Sequence, residues 1–110
     1  MTTTEILVMA RSAAQDLKQA RYQIEAKPTR VPANAAKTWK SSLESRIERN
    51  EAVLDLATKV LHDANVPDLE RDILFHRFVL GEKWLVVSRS VNYSVRACQT
   101  RANKALARLG

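Results

Sequence analysis

Cysteine, glycine, proline and aromatic residues are all scarce in this 110-residue chain. The lone cysteine, Cys98, excludes an intrachain disulfide and suits a reducing, cytoplasmic setting. Two Gly and three Pro supply too little turn chemistry for a β-sandwich or barrel. Aromatics make up 5% of the residues and apolar residues 45%, so the core must be mostly aliphatic. No apolar run approaches the roughly 18 residues of a membrane span. The stretch from Ile6 to Ala10 is too short for the apolar segment of a signal peptide. His62 and His76 are the only histidines, and with one cysteine no zinc spacing exists. Ser88 and Ser90 have no base nearby in sequence, and His62 and Asp63, being adjacent on a helix, do not face each other. No catalytic site, metal or cofactor is therefore expected.

What is present is helix-forming: Ala, Leu, Arg, Lys, Glu and Gln dominate. An all-α protein follows. The net charge of +6 has an uneven distribution. Residues 83–110 hold Lys83, Arg89, Arg96, Arg101, Lys104 and Arg108 and no Asp or Glu, whereas residues 1–82 are balanced. A basic field confined to one segment is the electrostatic footprint of a polyanion partner, most often nucleic acid.

The apolar spacing predicts a first helix over about Thr4 to Ala26, with Ile6, Ala10, Ala13, Leu17, Ala20 and Ile24 on its buried seam. Arg11, Lys18, Arg21 and Glu25 fall on the opposite, solvent-facing side. Pro28 and Pro32 break the chain between Lys27 and Asn34. A second helix is predicted over Ala35 to Ala64, capped by Asn34. Its main stripe is Trp39, Leu43, Ile47, Asn50, Leu54, Ala57, Leu61 and Ala64, and a second stripe is Val53, Leu56 and Val60. Two stripes require two neighbours: the first helix and the C-terminal unit. Asn50, set among apolar positions, is a candidate for fixing helix register. Arg46 and Arg49 read as ordinary surface charges beside Glu44 and Glu48.

Pro67 ends the second helix and marks an internal boundary, with Asp68 a candidate cap for the next helix. Residues 1–64 thus form a long antiparallel helical hairpin, a scaffold and candidate oligomerisation region. Residues 65–110 form a three-helix unit. Its first helix runs from Asp68 to Leu80 with Gly81 as the C′ residue. The second runs from Trp84 to Val91, with Val87 and Val91 inward and Leu85 and Val86 filling its sides. Asn92 and Tyr93 make the turn and Ser94 caps the third helix, Val95 to Leu109. Cys98, Ala102, Ala105, Leu106 and Leu109 point inward there. Two short helices joined by a tight turn, the second Ser-capped and rich in basic and amide residues, describe a helix-turn-helix.

The run Ile73-Leu74-Phe75-His76-Arg77-Phe78, then Trp84 to Val91, then Tyr93-Ser94, then Lys104-Ala105-Leu106 with Leu109, resembles region 4 of the sigma-70 family. It is most similar in kind to small phage proteins of the ArpU-like and RinA-like late transcriptional regulator group. The resemblance covers about residues 67–109. It implies a recognition helix over about residues 95–109 in the major groove of double-stranded DNA. By position, Val95, Arg96, Gln99 and Thr100 would contact bases, Arg96 matching guanine and Gln99 adenine. Trp84, Arg89, Ser94, Arg101 and Lys104 would contact phosphates. Two departures stand out. Sigma factors carry Arg-Glu where this chain has Val95-Arg96, and Arg101 replaces an apolar residue. The chain also lacks anything like sigma region 2, so alone it should not melt a promoter.

The expected function is a sequence-specific, DNA-binding transcriptional regulator of phage or prophage type. Two alternatives remain open at this point. One is a sigma-like adaptor that docks on RNA polymerase. The other is the DNA-recognition subunit of phage packaging machinery, similar to a small terminase. A homodimer is a candidate assembly, since regulators that read palindromic half-sites pair up. No membrane partner is expected.

Overall fold

A computed structural model describes residues 1–26 and 32–110. Among these the chain is all-helical: α1 (Thr3–Ala26), α2 (Ala33–Asp63), α3 (Asp68–Leu74) continuing into a π-helical turn (Phe75–Val79), α4 (Trp84–Val91) and α5 (Val95–Leu109). No described helix is long and apolar enough to cross a membrane. The break predicted over Lys27 to Asn34 falls largely on residues 27–31, outside the described residues.

α1 has no Gly or Pro in its interior. Its first turn is capped by Thr2, whose Oγ1 accepts from the Glu5 amide at 3.1 Å. Its buried residues are Leu7, Ala10, Ala13, Ala14, Leu17 and Ala20. The predicted seam is thus corrected at one end: Leu7 is fully buried and Ile6 lies at the core margin. The reason is that α1 serves more than one neighbour, packing against α2, the π-turn and α5. A second correction follows. Arg11 is partly buried rather than solvent-facing, while Lys18, Arg21 and Glu25 are exposed as expected. The Ala-rich seam is used up within the chain.

Both predicted caps shift by one rule. Asn34 and Asp68 do not cap; Pro32 and Pro67 do. Each proline is extended, and its carbonyl accepts the first helical bond, from Ala36 at 2.8 Å and from Arg71 at 3.0 Å. A proline just outside a helix has no N–H to leave unsatisfied. Helical geometry therefore begins at the very next residue, before Asn34 and at Asp68.

The α1–α2 contact carries a polar cluster that corrects the reading of Arg46. Its guanidinium grips Asp16 through Nε to Oδ2 at 2.8 Å and Nη2 to Oδ1 at 2.7 Å. Asn50 donates to the same Oδ2 at 2.7 Å. The seam asparagine thus has a charged partner across the helix pair, which ties register to chemistry. The Arg46 bond, then that of Asn50, holds the Asp16 carboxyl below its usual value of 3.8. A depressed carboxyl stabilises the fold above its unfolded value, and that contribution is lost as pH falls through the folded value. Asp16→Asn is therefore expected to flatten the acid limb of thermal stability below about pH 4. Melting curves across pH 2 to 6 check this.

α2 buries Leu43, Ala57 and Leu61. Its second stripe is only partly covered, with Val53 against the core and Leu56 48% exposed. Trp39, half-buried, lies outside the core cluster.

The predicted helix from Asp68 to Leu80 is present but changes type midway. Ile73, Leu74, Phe78 and Val79 are all buried, and the spacing of five between Ile73 and Phe78, and between Leu74 and Val79, is too wide for one α-helical face. A π-turn restores the alignment, with the Leu80 amide bonding to the Phe75 carbonyl at 3.0 Å. Gly81 then turns the chain at φ +68. A Cβ on Gly81 would also meet Ala14 Cβ at 2.9 Å, so α1 seats directly on this turn. Gly81→Ala is expected to destabilise by about 2 kcal/mol or more, from the left-handed backbone and the clash together. Ala14→Gly in the same chain should recover the clash component alone, as read by chemical denaturation.

One core cluster runs from Leu7 and Ala10 through Ala57 and Leu61 to Ile73, Leu74, Val87, Cys98 and Ala102. The segments before and after residue 64 share it.

Candidate functional site

The site builds on α4, a short turn and α5. α4 is anchored through Val87, which is fully buried. Its neighbours Leu85 and Val86 are 55% and 44% exposed, so they do not fill its sides as predicted. An eight-residue helix held against the unit by one buried stripe leaves its other faces to solvent.

The turn is closed at Asn92, in the left-handed region at φ 61 and ψ 42. Asparagine tolerates that conformation better than most residues. Ser88 locks the turn from both ends. Its carbonyl accepts from the Tyr93 amide at 3.2 Å, and its hydroxyl donates to the Tyr93 carbonyl. Ser88, set aside in sequence as lacking a base, thus has a turn-closing role. Ser94 follows in extended geometry, and its Oγ accepts from the Ala97 amide at 3.1 Å. The predicted cap is present, and α5 spans Val95 to Leu109 as predicted.

α5 is strongly two-sided. Cys98, Ala102 and Ala105 are buried, with Leu106 and Leu109 packed at the core edge. Burial pushes the Cys98 thiol up, partly offset by the Arg101 charge, which keeps it a protonated core residue. The opposite side exposes Arg96, Thr100 and Lys104, spaced every four residues and therefore aligned. Val95 and Gln99 are partly buried along its flank. A shallow cleft of about 510 Å³ brings Ser94, Arg96, Thr100, Arg101 and Lys104 together with Ala97 and Glu70. Trp84 and Arg89 lie outside this cleft; Arg89 is exposed on α4, and Trp84 is partly buried at its start.

Two residues of this region behave differently from their sequence reading. Arg101 donates from Nη1 to Glu70 Oε1 at 2.9 Å, and its guanidinium sits 5.3 Å from the Tyr93 ring centroid. Its charge is compensated by a carboxylate with 14% side-chain exposure. This accounts for a polar residue at a position where apolar was expected: the side chain bridges α3 and the turn. Trp84 lies beneath Arg77, whose guanidinium is 4.5 Å from its ring centroid. Burial, and then the charge of Arg11, lower the Arg77 pKa.

Sequence reasoning missed Glu70, Arg71 and the partnership of Arg77. Glu70 and Arg101 are 31 residues apart, with no spacing signal to link them. Among the described residues, Arg71 makes the densest polar junction. Nε donates to Leu61 O at 3.1 Å, and Nη2 to Ala64 O at 2.8 Å and Val66 O at 3.2 Å. Nη1 bonds Asp68 at 2.8 Å. It thereby joins the end of α2 to the start of α3. Among the described residues, no group of His, Cys, Asp and Glu could hold a metal ion.

No family model, curated protein or solved structure matches this chain.

Proposed function

We propose that this chain is a sequence-specific, duplex-DNA-binding transcriptional regulator of phage or prophage type. In this reading α1 and α2 are the scaffold hairpin. The helix α4, its turn and α5 form a helix-turn-helix similar to sigma region 4, and α5 enters the major groove. The single observation that carries the reading is the outer face of α5. It presents Arg96, Thr100 and Lys104 from a Ser94-capped helix in a segment with no acidic residue. Capped helix N-termini and aligned cations suit phosphate positioning, and the first exposed side chains suit base edges.

The geometry refines the residue roles. Arg96, Gln99, Thr100 and Val95 remain the base-reading set. Lys104, Arg89, Ser94 and Trp84 remain the phosphate set. Arg101, neutralised by Glu70, becomes a positioning residue for α5 instead of a phosphate contact.

The test is binding of a selected pool of duplex DNA across a salt series. Affinity should fall steeply and linearly in a log–log plot, because neutralised phosphates release counterions. Affinity that ignores salt would sink the reading. A second reading has one observation in its favour. Leu85 and Val86 are exposed in the first turn of α4, which suits a protein partner such as RNA polymerase. Retention of polymerase without DNA, lost on Leu85→Ser, would favour it.

A further inference from the structure

We infer that the second stripe of α2 is a dimer surface, on which a second copy of this chain lies antiparallel about a two-fold axis at Leu56. The inference goes beyond the DNA-binding reading and does not rest on it.

The first observation is a helix face left without a neighbour. Arg49, Val53, Leu56, Val60 and Asp63 follow one another at alternating spacings of four and three, the period of a helix that packs on another helix. The C-terminal unit does not cover this stripe. It meets α2 on another side, where the clefts between them are lined by Leu54 and Asp55 and by Thr58 and His62. Val53 and Val60 are therefore only partly buried, and Leu56 at the centre is 48% exposed. α1 adds Met9 to the patch. Asp16 and Arg46 are bonded across the hairpin, Met9 precedes Asp16 by seven residues, and Val53 follows Arg46 by seven. Seven residues are about two helical turns, so in the antiparallel hairpin Met9 and Val53 share the face and the level of each other. Met9 is 41% exposed.

The second observation is the charge at the two ends of the stripe. Arg49 lies seven residues before Leu56 and Asp63 seven residues after it, and both are exposed. Among the described residues neither forms an ion pair within the chain. Asp16, level with this end of α2, is already held by Arg46 and Asn50. Asp63 is also the last residue of α2, where the helix dipole disfavours a carboxylate. Two antiparallel copies centred on Leu56 set Arg49 of each against Asp63 of the other, twice, with Val53 against Val60 between them. A parallel pairing in register would set Arg49 on Arg49 and Asp63 on Asp63. The stripe complements itself in one orientation and opposes itself in the other, which selects the occupant: a second copy, antiparallel.

Area sets the strength of the contact. The stretch from Arg49 to Asp63 is about 20 Å long and a two-helix hairpin about 20 Å wide, so each copy covers about 400 Å², against the roughly 800 Å² per partner of a standard interface. The dimer is therefore weak and concentration-dependent. Because the surface pairs with itself about a two-fold axis, assembly closes at two copies.

The test is sedimentation velocity of the full chain without DNA, across micromolar to millimolar concentrations. The parent should pass from monomer to dimer. Leu56→Glu should weaken that association by about tenfold or more, since it places an exposed charge at the centre of the contact. Arg49→Asp and Asp63→Arg should each be monomeric alone, because like charges then meet at both ends. Mixed in equal amounts, the two variants regain both ion pairs and should associate again, a rescue that no role within one chain produces. Unchanged melting temperatures show that each variant is folded. If Arg49→Asp does not fold, Leu56→Glu and Asp63→Arg, both at exposed positions, decide the matter. A parent that stays monomeric, assembly beyond a dimer, association untouched by Leu56→Glu or Asp63→Arg, or a mixture of folded variants that stays monomeric overturns the inference. On the DNA-binding reading a two-fold dimer calls for inverted half-sites, but the pairing is measured without DNA, so either can fail alone.

Discussion

Arg96→Ala is expected to lower affinity for the selected duplex by about 10- to 100-fold, the loss of one good side-chain-to-base pairing. Sequence preference at one base pair should relax at the same time. The expectation follows from position: Arg96 is exposed in the first turn of α5, directly after the Ser94 cap, and lies on the cleft with Thr100 and Lys104. Lys104→Ala should behave differently. A phosphate contact weakens binding evenly across sequences and lowers the salt slope by about one. Arg101→Ala should leave that slope nearly unchanged, because its charge is already matched by Glu70; its effect should appear as a lower melting temperature. Fluorescence anisotropy on matched and scrambled duplexes separates the three outcomes. If Arg101→Ala shifts the salt slope as Lys104→Ala does, the positioning role assigned to Arg101 is wrong.

Arg71→Ala is the substitution with the largest expected effect on the fold. Arg71 donates to three backbone carbonyls, of Leu61, Ala64 and Val66, where α2 ends and α3 begins. Carbonyls at a helix end lack intrahelical partners, and hydrogen bonds from a charged donor are each stronger than neutral ones. Removal is expected to destabilise by about 2–3 kcal/mol, or a melting temperature roughly 10–20 °C lower for a chain of this size. Arg71→Lys should recover less than half of this, since one ammonium cannot reproduce a planar fork that reaches three acceptors. Asp68→Ala is the control. Its side chain is 97% exposed, and an exposed ion pair contributes about 0–1 kcal/mol. Equal losses from Asp68→Ala and Arg71→Ala would show that the ion pair, rather than the carbonyl junction, holds the elements together.

Much of this architecture is legible in the residues themselves. Helix formers with few Gly and Pro leave an all-α chain as the solution. Pro67, Gly81, Asn92 and Ser94 punctuate the C-terminal unit, and the structure breaks its helices at those positions. They are legible because each acts through its own backbone: a missing N–H, a left-handed φ, a hydroxyl reaching an amide three residues on. The inward set Cys98, Ala102 and Ala105 is legible by the same local logic of helical period. The face left over, Arg96, Thr100 and Lys104, follows as its complement.

What stayed hidden depends on residues far apart in sequence. Neither Asn34 nor Asp68 caps its helix, because the neighbouring prolines let the helices begin sooner. The π-turn appears only because α1 and α2 demand that Leu74 and Val79 face the same core. Arg46 with Asp16, Arg71 with the end of α2, and Arg101 with Glu70 each look like surface charges or misfits until the helices are packed. By itself, then, the sequence determined the helices, their breaks and the basic character of the last segment, since those are properties of short windows. The tertiary structure alone decided which cations are neutralised inside the protein and which stay outward. A guanidinium's partner is set by where a distant helix places its carboxylate or carbonyl, and no local period encodes that distance.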